Sequence, residues 1–182
     1  MAHASTCATQ ADKARFDKIL RKRAIALRRG TAESPSRQTA AYLVVVVQKE
    51  RIAIAADRVR RVFRLAQCTP VPGGPQELLG VINSDGEVRS LLDLRCLLGF
   101  ASESVARPGY AVLLASDRFV VGFAVDGVEC LEELGEEDLN PPGKDLEPAR
   151  LKFARALGPD QLLILNVSSL MDFLQPAGNG KK

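Results

Sequence analysis

The chain has 182 residues, of which 46% are hydrophobic and 26% charged, with a net charge of +3. That is a globular composition, long enough for one domain that buries roughly two-thirds of its unfolded surface. Its longest apolar run, Tyr42 to Val47, is strand-sized and far short of the ~20 residues of a membrane-spanning helix.

Residues 1–10 are small and polar, with no basic segment leading into an apolar one. They read as a disordered tail rather than a secretory signal, and the protein is expected in the cytoplasm. Cys7, Cys68, Cys96 and Cys130 are widely spaced and form no C-x-x-C pair, so reduced, partly buried thiols are expected. Residues 11–30 read as a basic amphipathic helix. Phe16, Ile19, Leu20, Ala24 and Leu27 recur at spacings of three and four, residues 12–29 carry a net charge of +6, and Gly30 ends the pattern. Such a helix fits an anionic membrane surface, an acidic partner, a phosphate backbone or a resting place on its own domain, and composition does not choose among them. Residues 31–39 read as a linker, residues 40–176 as the folded domain and residues 177–182 as a second disordered tail.

From Tyr42 onward, short β-branched or apolar runs alternate with turn residues, which predicts a mainly β fold of small barrels. The expected strands are Ala41–Gln48, Arg51–Ala55, Val62–Leu65, Gly80–Asn83, Val88–Leu92, Ala111–Ala115, Phe119–Val125, Val128–Leu131, Leu151–Ala156 and Leu162–Asn166. Asp85-Gly86 predicts a tight hairpin turn. Asp126-Gly127 gives the same signal and predicts that Phe119–Leu131 is a hairpin or a bulged strand pair. Leu94–Leu98 and Ser168–Leu174 read as short helices, the second capped by Asn166 or Ser168. The six acidic residues between Glu129 and Asp138 read as a solvated acidic loop or as a site for a basic partner.

Reactive groups are scarce. The only histidine, His3, lies in the N-terminal tail, and no phosphate-binding glycine loop or nucleophile elbow is present. Asp85, Glu87 and Asp93 are close in sequence. The turn uses Asp85, however, and Asp93 is expected to cap the next helix or pair with Arg95, so no catalytic pair is assigned. No catalytic residue, metal or cofactor is expected, and the protein reads as one that works through its surface.

Three blocks, in order, resemble the CheW-like domain, an adaptor module of bacterial chemosensory systems. Gly80-Val81-x-Asn83-x-x-Gly86 runs into Asp93-Leu94-Arg95 and Leu98-Gly99. Ile52-Ala53-Ile54 precedes Asp57-Arg58-Val59, with the proline-rich connector Thr69–Pro75 beyond. Gly122-Phe123-Ala124-Val125-Asp126-Gly127-Val128 follows, so the likeness spans roughly residues 38–176. The resemblance implies two five-stranded SH3-like barrels packed side by side. It also implies a non-catalytic scaffold that joins the regulatory domain of a CheA-type histidine kinase to the cytoplasmic tip of a chemoreceptor, with other CheW-like proteins as further partners and no nucleic acid. Gly80, Asp93, Arg95, Gly122, Asp126 and Gly127 are the structural positions of the motif. Carried over by position, the receptor-facing candidates are Val59, Val62, Asn83, Asp85 and Gly86, with ordinary core packing an alternative for the two valines. Asp85 departs from the pattern, since the family typically has Arg there. That reversal raises a second reading, a decoupled member that binds the kinase or another CheW-like protein but not receptors. A third reading makes the basic N-terminal helix the functional element.

Overall fold

The computed structural model describes residues 39–100, 108–143 and 145–175. The expected basic helix and both tails lie outside that range. The strands are β1 Thr39–Val47, β2 Glu50–Ala55, β3 Val59–Arg64, β4 Leu78–Ser84, β5 Glu87–Asp93, β6 Tyr110–Ala115, β7 Val120–Val125, β8 Gly127–Gly135, β9 Ala154–Leu157 and β10 Leu163–Leu165. Three short helices are α1 Leu94–Leu97, α2 Pro148–Phe153 and α3 Val167–Phe173.

The strands form two five-stranded sheets, ordered β8-β1-β2-β10-β9 and β3-β6-β7-β5-β4. Each curls toward closure through one isolated bridge beyond its first edge strand. Asn140, past β8, pairs with Leu157 of β9, and Thr69, past β3, pairs with Val81 of β4. The two sheets are the two expected barrels.

The chain builds both barrels from one repeated series: hairpin, edge strand, hairpin, helix. The first pass is β1 to α1 and the second β6 to α3. Each pass gives its opening hairpin to one barrel and its remaining strands to the other. The registers match residue for residue. Val59 opposes Leu114 as Val128 opposes Val45, and Leu91 lies beside Gly122 as Ile164 lies beside Ala53. Even the bulges recur, at Arg60 in β3 and Glu129 in β8, and at Leu79 in β4 and Arg155 in β9.

Strand alternation explains the unbroken apolar runs. In β1, Leu43, Val45 and Val47 enter a core shared by both barrels, while Tyr42 and Val44 fill the interior of the first barrel. In β6, Val112 and Leu114 join the shared core, while Ala111 and Leu113 fill the second barrel. A strand buried on both faces has no polar side, so period-2 polarity vanishes. Gly122 is needed for this packing. A Cβ there would meet Leu91, Leu113 and Ile82 at 3.1–3.3 Å.

Three expectations are corrected. Asp126-Gly127 does not turn a hairpin, because β7 belongs to one sheet and β8 to the other. Gly127 has no positive φ and packs over Val46, its partner in β1, so the Asp-Gly pair is a crossing between barrels. Leu151–Ala156 is not a continuous strand. Pro148 starts a helix, where its missing N–H costs nothing, and β9 begins only at Ala154. The acidic stretch Glu129–Asp138 is not a loop either. Most of it is strand β8, paired along β1, where Arg51 reaches Glu129 at 2.9 Å and Glu132 at 2.7 Å.

Candidate partner-binding surface

Asp93 ends β5 and caps α1, its carboxylate accepting from the Arg95 backbone N–H at 2.9 Å. The Arg95 side chain folds back on the same carboxylate, Nε donating at 3.0 Å and Nη2 at 2.9 Å. Its remaining Nη1 lies 3.6 Å from Asp126, whose other oxygen accepts from the Gln48 backbone N–H at 2.5 Å. The hydrogen bond to Asp93 raises the Arg95 pKa, with burial acting against it. Motif residues far apart in sequence thus join α1, the β7–β8 crossing and the β1–β2 turn. Asn166 caps α3 as Asp93 caps α1, accepting from Ser169 N at 3.0 Å.

The β4–β5 hairpin turns on Asp85 and Gly86, with φ of 56° and 83°. Positive φ at both central residues is the geometry that matches the twist of the flanking strands. Asn83 is exposed and accepts from Gly86 N at 3.0 Å, so its amide serves the turn. Gly80 is fixed by a close approach. Its φ is +148°, and a Cβ there would fall 2.2 Å from the Thr69 carbonyl oxygen, inside the bridge that closes the barrel.

Val59 and Val62 are half-buried and pack against the shared core. Three residues apart on a regular strand they would face opposite ways, and the bulge at Arg60 turns both inward. Each is thus exposed along one edge only. The sequence reading missed the residue beside them. Arg61, exposed on β3, donates from its guanidinium to the Asp85 carboxylate across the gap between β3 and the hairpin tip. That bond holds the Asp85 carboxyl below its ordinary 3.8 despite some opposing desolvation. The Asp85 charge is therefore compensated within the chain. Val88, opposite Asn83, is 73% exposed and leaves an apolar tip beside the ion pair.

Residues 41–175 match the family model described as the CheW-like domain. The chain belongs to the CheW-like domain family. It is 32% identical over 100 residues to the chemotaxis protein CheW of Rhizobium meliloti, covering 54% of this chain and 64% of that relative. It is 25% identical over 133 residues to CheW of Klebsiella aerogenes, covering 71% and 80%. A match to a probable CheW of Rhizobium etli also spans 64% of that relative's length. The crystal structure of the scaffolding protein TtCheW from Thermoanaerobacter tengcongensis superposes with a TM-score of 0.60 at 18% identity, over 70% of this chain and 88% of that one, which speaks for the shared fold. No helix among the described residues is long and apolar enough to cross a membrane.

Proposed function

We propose that this CheW-like protein is a non-catalytic coupling scaffold of a bacterial chemosensory system, holding a CheA-type histidine kinase against the cytoplasmic tip of a chemoreceptor. The observation that carries this reading is the CheW-like match across residues 41–175, together with its named CheW relatives. A scaffold of this kind works in the cytoplasm, at receptor arrays, and acts by making different contacts in the kinase's active and inactive states.

The receptor face in this reading is β3 with the hairpin tip, where the half-buried edges of Val59 and Val62 lie with the exposed Asn83, Asp85 and Gly86. The family's turn cation is replaced by a pair, Arg61 on β3 and Asp85 in the turn. A decoupled protein would need an uncompensated negative charge at position 85, and Arg61 compensates it. Calorimetric titration with the kinase regulatory domain, and then of that complex with a receptor-tip hairpin, tests the scaffold. Wild type binds both partners. Arg61→Ala, which frees the Asp85 charge, weakens the receptor step about tenfold and leaves the kinase step unchanged. Absence of kinase binding by wild type would overturn the scaffold reading.

A further inference from the structure

The two passes of the chain are matched in register along their paired strands, so a side chain at a paired position of one barrel has a counterpart in the other. Counting back from the shared pairing, Asp57 corresponds to Asp126, Asn166 to Asp93 and Ser168 to Arg95. In the second barrel the Arg95 side chain fills the crevice between Asp93 and Asp126, and it is only 13% exposed. In the first barrel that long side chain is replaced by the short Ser168, and a hollow of about 410 Å³ opens in its place.

The charge of the hollow is inverted as well. The Arg95 crevice sets two carboxylates around one guanidinium, whereas the residues lining the hollow include two arginines, Arg58 and Arg155, against one acidic residue, Asp57. Arg155 is the bulged residue of β9, a place where a strand re-aims a side chain, and its counterpart is Leu79. Arg58 lies 3.7 Å from Asp57, in a solvent-exposed pair that holds it weakly. Arg155 is exposed, and no hydrogen bond or ion pair engages it among the described residues. Between these polar groups the walls are Ala40, Ala41, Ala55 and Ala56. A second hollow of about 460 Å³ adjoins it, sharing Arg58, Val167 and Ser168.

From this geometry we infer that the hollow at Ser168 is a docking site for an acidic side chain of a partner protein. The alanine walls take an aliphatic stem, the Ser168 hydroxyl donates to the carboxylate, and Arg155 with Arg58 supplies charge-assisted hydrogen bonds. Glutamate fits this description better than a free anion, which has no stem to cover the apolar walls. The adjoining hollow receives the residues that follow it. The site is separate from the Arg61–Asp85 face, and it stands whether or not a receptor binds there.

The test is a ¹⁵N NMR titration of the full chain with hexaglutamate, with hexaglutamine and sodium sulfate as parallel arms. Saturable shifts at the Ser168 amide and the Arg155 Nε–H with hexaglutamate alone are expected, and about tenfold weaker binding in both Arg155→Gln and Arg58→Gln. Ser168→Arg restores the missing counterpart of Arg95 and is expected to abolish binding while leaving shifts elsewhere intact. Equal responses to sulfate, binding that survives Ser168→Arg, or no saturable shift would each overturn the assignment. A receptor titration with these variants separates the two sites, because loss at Ser168 leaves the Arg61–Asp85 contact in place.

Discussion

At the scale of single residues, Asp85 shows how a local charge is set by a distant strand. Its turn geometry follows from its own sequence, but its ionisation depends on Arg61, 24 positions away. The folded pKa is depressed, so the pair stabilises the fold above the ordinary value of 3.8 and is lost as pH falls through the lower folded value. Carboxyl ¹³C titration should place the Asp85 midpoint below 3.8, and Arg61→Ala should raise it. An unmoved midpoint would mean that the pair does not persist in solution. Gly80 is the other decisive residue. Alanine there meets both a positive φ and the Thr69 carbonyl, so Gly80→Ala should cost about 2–3 kcal/mol in urea denaturation and speed hydrogen exchange at the Val81 amide.

At the scale of elements, the two capped helices form a matched experiment. Asp93 and Asn166 each satisfy one free amide of the helix that follows, and Asp93 alone also holds a guanidinium that is only 13% exposed. Asn166→Ala should therefore cost about 1 kcal/mol, the usual value of a cap. Asp93→Ala should cost about 2–4 kcal/mol, because it also removes the carboxylate that accepts from the Arg95 side chain in a partly buried site. Equal losses in thermal melts would mean that the Arg95 bonds contribute nothing. The β3 bulge acts at this scale too. By adding Arg60 it places Val59 and Val62 on one face, an arrangement that simple alternation would forbid.

At the scale of the whole molecule, the second barrel is a contiguous run of chain, β3 to β7, and the first is not. The first takes β1 and β2 from one end and β8 to β10 from the other, and the largest buried cluster draws on both sheets. Cooperativity should follow from that shared core. Unfolding is expected in one calorimetric transition with matching van 't Hoff enthalpy, and Ile54→Ala should cost about 2–5 kcal/mol with faster exchange in both sheets alike. Two resolved transitions would show that the barrels are separable.

The strand-rich class, the Asp85-Gly86 turn, the Asp93 cap and the family are legible in the chain's residues alone, because each depends on neighbours within a few positions or on a motif read in order. Tertiary structure decided the rest. Asp126-Gly127 has the local chemistry of a hairpin, yet the pairing of β8 with β1 rather than β7 makes it a crossing. Asp85 looked like a bare negative charge until β3 brought Arg61 against it. The hollow at Ser168 is visible only when two distant segments are laid on equivalent positions, since nothing in a lone serine signals that an arginine fills its counterpart. Local preferences choose turns and caps at short range. Which strand lies beside which is set by burial across the whole chain, and that burial gives a charge or a small side chain its surroundings.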